Sequence, residues 1–174
     1  NSKEYSNSFK LSIYQNDSGR KYSITNILKL NENIWQDIAS NELNFGHTQN
    51  PVWLRIPSEN LSKGLNVIDL NFPMLDYVDL FVIDRIDGTI LSQQKSGDMI
   101  SQEEKSYSSE KIIFVVNNIT VLDVFIRIDT FGSNQTPIKI KSLKTHLESS
   151  DNVGFLLHFY LGFSLFATLL YLVS

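Results

Sequence analysis

Aromatic rings and charged side chains alternate with aliphatic residues along three short segments of the chain. The segments are VWLRI (52–56), LDYVDLFVID (75–84) and VFIRID (124–129). Planar rings can stack on the apolar face of a sugar, while guanidinium and carboxylate groups hydrogen-bond its hydroxyl groups. Such a mixture is suited to binding a carbohydrate or another small polar ligand. The candidate ligand-binding residues are Trp53, Arg55, Tyr77, Asp79, Phe81 and Arg127.

The same alternation predicts β-strands, because successive side chains of a strand point to opposite faces of a sheet. Each segment has one purely aliphatic face, which we expect to be buried between two sheets, and one mixed face. Arg and Asp on neighbouring strands often pair only with each other, and aromatic rings often lie under loops, so a structural role for the mixed faces is the alternative. The expected core residues are Leu54, Ile56, Val78, Leu80, Val82, Ile126 and Ile128.

Further alternating segments predict an all-β, antiparallel sandwich over residues 9–144. RIDGT (85–89) predicts a hairpin turn of the Asp-Gly type, TNILKL (25–30) predicts one or two helical turns opened by Thr25, and NELNFGHTQNP (41–51) predicts a loop. The expected strands are 9–14, 52–56, 65–72, 75–84, 89–94, 111–117, 121–129 and 136–144.

Composition excludes several classes of function. The chain has 15 Lys and Arg against 19 Asp and Glu, a net charge of -4, which is not the basic surface of a nucleic-acid-binding protein. The absence of cysteine excludes disulfides, thiol nucleophiles and cysteine-bound metals. His47, His146 and His158 lack a zinc-binding spacing, and no nucleophile motif is present. We therefore expect no catalytic residues, no metal and no cofactor in this part of the protein.

VGFLLHFYLGFSLFATLLYLVS (153–174) is apolar on all sides of a helix, and His158 is its only ionisable side chain. A helix of about 20 apolar residues crosses the hydrocarbon core of a bilayer, so we expect a transmembrane helix. HLESSDN (146–152) is then a polar hinge between the last strand and the span. The alternative is a helix buried in the domain or against a partner chain.

Five stretches occur in order along the chain: FGHTQNPVWLRI, FPMLDYVDLFVID, SGDMI, VFIRIDTFGSNQTPIKI and HFYLGFSLFATLLYL. From about Phe9 to the end, the chain resembles the second type of extracellular domain of seven-transmembrane receptors with diverse intracellular signalling modules. It departs from the family pattern at Val52, where an aromatic residue usually precedes the Trp. It also lacks the Arg that usually follows the Gly-Asp stretch, where Lys105 is the nearest basic residue.

This resemblance implies a jelly-roll sandwich, similar to carbohydrate-binding modules, formed by residues 1–148. Residues 149–174 would then be the hinge and the first of seven spans. The protein would lie in a bacterial inner membrane, with residues 1–150 on the periplasmic or extracellular side. Its signal would pass to a cytoplasmic kinase, diguanylate cyclase or phosphatase module.

A receptor of this kind responds to a ligand only if the ligand binds its two states with different affinities. We therefore expect a small-molecule or glycan ligand to change either the docking of the sandwich on the membrane bundle or its pairing with a second copy or another sensor domain. Two other classes of function are the alternatives. One is a membrane-anchored carbohydrate- or wall-binding module, and the other is an accessory subunit that contacts another membrane protein.

Overall fold

The structure, a computed structural model, describes residues 9, 11–15, 17, 22–38, 42–47, 49–106, 111–131 and 133–148. The predicted transmembrane helix (153–174) lies outside these residues, as do residues 149–152 of the predicted hinge. In the described part of the chain, no helix is both long enough and apolar enough to cross a membrane.

The described residues form an all-β fold of two antiparallel sheets. The strands are β1 Leu11–Tyr14, β2 Gln36–Ile38, β3 Glu42–His47, β4 Val52–Pro57, β5 Gly64–Leu70, β6 Tyr77–Asp84, β7 Ile90–Ser96, β8 Ile112–Asn118, β9 Leu122–Asp129 and β10 Ser133–Ser142. One sheet has the order β2-β1-β4-β9-β6-β7, and the other has the order β3-β10-β5-β8. Short helices are α1 Ile24–Ile27 and α2 Leu143–Glu148, with 3-10 turns at Glu32–Ile34 and Ser58–Asn60.

One hydrophobic core lies between the two sheets. All seven core residues predicted from the alternation belong to it, with at most 4% of each exposed, so this prediction is confirmed. The four-stranded sheet contributes Ile68, Phe114 and Ile138 from the opposite side. A register slip of one residue would turn every one of these side chains outward, which is why the strand phase is strongly specified.

The predicted loop over residues 41–51 is wrong, because it contains strand β3. Glu42–His47 pairs with β10 at the edge of the four-stranded sheet. An edge strand needs little apolar surface, and here Leu43 is buried and Phe45 is partly buried. The short strand β2, also at a sheet edge, was not predicted, because its three residues, QDI, are too few to show an alternation.

Two predicted boundaries also shift. Residues 143 and 144, predicted to end the last strand, begin α2 instead. The residue that precedes α1 is Ser23 rather than Thr25, and its backbone N–H donates to the Asn26 side chain at 3.0 Å. This is the usual position for a serine at the start of a helix.

The two ends of the sandwich are built from different turns. Ser142, the last residue of β10, lies opposite Asn66 of β5. Two residues away in β5, Gly64 lies opposite Asn118, the last residue of β8. We name this the tether end, because the predicted membrane span follows β10 in the sequence. Its turns are 58–63, 85–89 and 119–121, and those of the opposite, far end include 71–76, 97–101 and 130–131.

A glutamine side chain closes the open edge of β8. The Gln94 amide nitrogen donates to the Val115 carbonyl at 2.7 Å, and the Val115 N–H donates to the Gln94 amide oxygen at 3.2 Å. Both strands are outermost in their sheets, so the Gln94 amide takes the place of a neighbouring strand.

Replacement of Gln94 by alanine should therefore expose the Val115 backbone groups to water. We expect a loss of about 1 kcal/mol in unfolding free energy and faster hydrogen exchange at the Val115 amide. The matched control is Gln93→Ala, because Gln93 is exposed on the same strand. Equal exchange rates at Val115 in the two variants would contradict the role of Gln94.

Candidate ligand-binding face

The outer face of the six-stranded sheet carries all six candidate ligand-binding residues. Strands β4, β9 and β6 are neighbours in this sheet, so their mixed faces form one continuous surface. The role of these residues in binding a ligand stays a prediction. The register places most of them in two rows across the strands, Trp53–Arg127–Asp79 and Arg55–Phe125–Phe81, with Tyr77 next along β6.

Residues 22–35, here named the cover, fold across part of this face. They form a second hydrophobic cluster, separate from the core between the sheets. Trp53 is completely buried in this cluster and Phe81 is nearly so, so neither side chain is accessible to a ligand in this structure. The cluster contains Ile24, Ile27, Trp53, Phe81, Ile83 and Phe125, with Tyr14, Tyr22, Leu28, Leu30 and Trp35 packed against it.

The cover was not predicted from the sequence, although a signal was present. Ile24, Ile27 and Leu28 follow the i, i+3, i+4 spacing of an apolar helix face. That spacing indicates a helix that packs on something, but it does not say on which surface. A helical stretch of one or two turns was therefore predicted without its contact.

Trp53 is tied to its surroundings by contacts on several sides. Its ring stacks on Phe81 at a centroid distance of 6.1 Å and an interplanar angle of 24°. Its indole N–H donates to the buried Asp17 carboxylate at 3.2 Å, and the same carboxylate accepts the Tyr22 N–H at 3.1 Å. On the neighbouring part of the cluster, the Trp35 ring lies 5.9 Å from that of Phe125. These contacts fasten the cover to the sheet.

Arg55 belongs to a network of five charged groups. Its Nε and Nη2 donate to Oδ2 of Asp123 at 3.1 and 2.8 Å, and its Nη1 donates to both carboxylate oxygens of Glu32. Asp123 also accepts from Nε of Arg85 at 2.9 Å through its other oxygen, and Arg85 in turn contacts Glu59 at 2.7 Å. Every nitrogen of the Arg55 guanidinium therefore has an acceptor in this network.

The network was missed at the level of the sequence because its partners are far apart. Arg55 lies 68 residues from Asp123, and Arg85 lies 38 residues from it. The contacts of Arg55 therefore fit the alternative named above, in which charged residues of the mixed faces have a structural role.

Glu59 gives this network a dependence on pH. The hydrogen bond from Arg85 lowers the pKa of Glu59 from 4.5 to about 2. A carboxylate whose pKa is lowered by folding stabilises the fold above its unfolded pKa, and this contribution is lost as pH falls through the folded value. The window therefore runs from about pH 4.5 down to about pH 2.

We expect Glu59→Gln to lose less unfolding free energy than the wild type between neutral pH and about pH 3. The difference should be below about 1 kcal/mol, because the side chain is largely exposed and solvent screens the pair. Urea denaturation at the two pH values measures it. Glu103→Gln is the control, since Glu103 is also exposed. The same pH dependence in both variants would remove Glu59 from this role.

Tyr77, Asp79 and Arg127 lie together on the same face, outside the second cluster, and are here named the open patch. Tyr77 is the most accessible of the three, since the side chains of Arg127 and Asp79 are only 17% and 20% exposed. The Tyr77 residue is 41% exposed. Nη2 of Arg127 donates to Asp129 at 2.8 Å, whereas Nη1 lies 3.8 Å from Asp79, too far for a hydrogen bond. In the described part of the chain, the Arg127 side chain makes no other hydrogen bond, so it differs from that of Arg55 in keeping donors for a further acceptor.

The far end of the sandwich supports the open patch. The Asp76 carboxylate accepts the Phe131 N–H at 2.7 Å and the Thr130 hydroxyl at 3.1 Å, which joins the turns at the ends of β6 and β9. Gly97 lies against the backbone of Asp76, and a Cβ at Gly97 would be 2.3 Å from the Asp76 carbonyl oxygen. Only glycine, here at φ 132°, permits this approach.

The open patch offers groups for stacking and hydrogen bonding. Its three side chains present a phenol ring, a carboxylate and a guanidinium, and none of these is paired with a nucleophile in the contacts above. No group of three or more His, Asp or Glu side chains that could hold a metal ion occurs among the residues that the structure describes.

Residues 10–142 match the family described as 7TMR-DISM extracellular 2, which is well over half of the chain. The chain belongs to the 7TMR-DISM extracellular 2 family. No curated protein matches the chain. The 7TMR-DISM extracellular 2 match confirms the resemblance stated from the five sequence stretches, and it includes every strand described above.

Membership of the 7TMR-DISM extracellular 2 family makes the described sandwich an extracellular sensor domain of a membrane receptor. Such a domain is non-catalytic, in keeping with the groups that the open patch presents. The protein is thus a membrane protein with an extracellular segment.

Proposed function

We propose that this sensor domain recognises a carbohydrate or another small polar ligand at the open patch. The observation that carries the proposal is the contrast between two arginines on one sheet face. Arg55 donates from all three of its nitrogens within the protein, while Arg127 keeps Nε and Nη1 without a hydrogen bond in the described chain. Donors of a charged group beside an exposed ring are the usual means of binding a polar ligand with an apolar face.

In this proposal, three of the six predicted residues contact the ligand directly. The Tyr77 ring stacks on the apolar face of the ligand, Arg127 donates to its oxygens, and Asp79 accepts from its hydroxyl groups. The other three, Trp53, Arg55 and Phe81, hold the cover and the sheet in place beneath and beside the ligand.

The proposed fold type is a jelly roll similar to those of carbohydrate-binding modules. The path of the chain supports it, because successive strands alternate between the two sheets from β3 to β6 and again from β7 to β10. A jelly roll is made of two Greek keys, whose chains cross between sheets in this way.

The proposed membrane arrangement is based on the apolar sequence of residues 153–174. Residues 149–174 form the hinge and the first of seven spans in a bacterial inner membrane, and residues 1–150 lie on its periplasmic or extracellular side. Binding shifts the docking of the sandwich on the membrane bundle or its pairing with a second copy. The signal then passes to a cytoplasmic kinase, diguanylate cyclase or phosphatase module.

A glycan and small-molecule screen on the chain, followed by assays in the full receptor, tests the proposal. We expect Tyr77→Ala to abolish the response to the ligand that the screen selects, while the melting temperature stays within a few degrees of the wild type. The matched control is Ile90→Ala, because Ile90 is 44% exposed, close to the 41% of Tyr77. A full response from the Tyr77→Ala receptor would overturn the proposed site.

A further inference from the structure

Large aliphatic side chains project from two turns at the tether end of the sandwich. Ile86 is 83% exposed in the turn 85–89, and Ile119 and Val121 are 70% and 50% exposed in the turn 119–121. Isolated exposed aliphatic residues are ordinary on a protein surface, but a group of them marks a contact with a membrane or another protein. The far end has exposed apolar side chains too, at Met74, Met99 and Phe131, so the position of the group beside the predicted span is what distinguishes the tether end. From their position we propose that this end of the domain docks on a lipid bilayer surface.

The two turns are held together as one unit. The Arg85 N–H donates to the Val121 carbonyl at 3.1 Å, so the start of one turn is fixed beside the end of the other. The Asn118 side chain donates to the carbonyls of Leu61 and Ser62 at 3.1 and 3.3 Å, which ties the third turn of this end to the same place. The exposed side chains therefore belong to a common surface.

The acidic side chains beside Ile86 accept hydrogen bonds from the backbone of their own turn. One Asp84 carboxylate oxygen accepts the Ile86 N–H at 2.7 Å, and one Asp87 carboxylate oxygen accepts the Thr89 N–H at 2.8 Å. Hydrogen bonds from the side chain and backbone of Thr89 lower the pKa of Asp87. Ile86 is left as the projecting side chain of the turn.

The shape and chemistry of this surface favour lipid over a protein pocket as its occupant. Two turns with exposed aliphatic side chains can enter the boundary between headgroups and acyl chains, where no matching cavity is needed. The proposed span joins the domain to the membrane, so docking is intramolecular. Weak partitioning of a few side chains into lipid is then enough to hold the turns at the bilayer surface.

The reach of the chain brings the bilayer to this end of the sandwich. Ser142, at the end of β10, lies at the tether end, and α2 follows it directly and ends at Glu148. Five Cα–Cα steps separate Glu148 from Val153, the first residue of the predicted span, and they cover at most about 18 Å. This step rests on the proposed function, since it takes residues 153–174 to be a membrane span.

Fluorescence quenching by lipid tests the docking directly. The chain has no cysteine, so an environment-sensitive dye can be attached at Ile119→Cys. Phe131→Cys at the far end is the matched control, because Phe131 is 69% exposed and Ile119 is 70% exposed. The whole 174-residue chain is placed in nanodiscs of phosphatidylcholine that contain nitroxide-labelled lipid.

We expect the dye at residue 119 to be quenched at least about threefold more than the dye at residue 131. The excess should fall in a variant that also carries Ile86→Ser and Val121→Ser. Equal quenching at the two positions, in discs that hold the chain, would overturn the docking but not the proposed membrane span. A blue-shifted dye without lipid quenching would show a protein occupant and would also overturn it.

A chain that fails to associate with the discs would overturn the span and the docking together. That result would not bear on ligand binding at the open patch, because ligand binding is tested through Tyr77, which lies toward the far end of the domain.

Discussion

Replacement of Trp53 by alanine should lower the unfolding free energy of the domain by about 3–5 kcal/mol, the usual cost of removing a buried aromatic side chain. Trp53 is completely buried, and its removal leaves a cavity between the sheet and the cover. It also removes the stacking on Phe81 and the hydrogen bond to the buried Asp17 carboxylate. Urea denaturation followed by circular dichroism measures the loss.

Two further variants separate the contributions at this position. Trp53→Phe keeps an aromatic ring but lacks the indole N–H, so we expect an intermediate loss. Tyr77→Ala truncates an exposed ring on the same sheet face and should cost less than about 1 kcal/mol. If Trp53→Ala were as stable as the wild type and had lost only ligand binding, Trp53 would be a ligand contact and the cover would not be its permanent partner.

Replacement of Asp123 by asparagine should have the second large effect, a loss of about 3 kcal/mol or more. The Asp123 side chain is only 6% exposed and accepts hydrogen bonds from both Arg55 and Arg85. Asparagine is nearly isosteric, so no cavity forms, but two partly buried guanidinium groups lose the carboxylate between them. Each guanidinium then keeps only an exposed partner, Glu32 or Glu59, in place of the buried carboxylate, which is costly.

Chemical denaturation of Asp123→Asn against Asp98→Asn tests this expectation, because Asp98 is an exposed aspartate of the same chain. A second control replaces the charges together, as Asp123→Leu with Arg55→Met and Arg85→Met. Removal of all the buried charges should recover much of the loss. Equal stability of the two asparagine variants would contradict the structural importance of the network.

The strand phases could be predicted from the sequence because the side-chain period of a strand is fixed at two residues. Leu54, Leu80 and Ile126 each sit in an unambiguous alternation, and all three are buried where that alternation places them. The Asp-Gly hairpin turn between β6 and β7 could also be predicted, because its signal lies in adjacent residues. Gly88 there adopts φ 74°, a conformation that glycine reaches without strain.

The parts that escaped prediction depend on contacts that are distant in the sequence. Glu42–His47 became a strand by pairing with β10, more than 80 residues later, and its own pattern is mostly polar. For the site, alternation placed Trp53 and Tyr77 on the same kind of face. Only the packing of residues 22–35 distinguishes the buried side chain from the exposed one.

Ligand binding at the open patch is tested most directly by isothermal titration calorimetry. The ligand that the screen selects is titrated into the wild-type chain, into Arg127→Gln and into Arg55→Gln. We predict at least about a tenfold weaker affinity for Arg127→Gln, equivalent to about 1.4 kcal/mol, with the ligand still bound by any folded Arg55→Gln protein. Unchanged affinity for Arg127→Gln would contradict the proposal that the donors of Arg127 recognise the ligand.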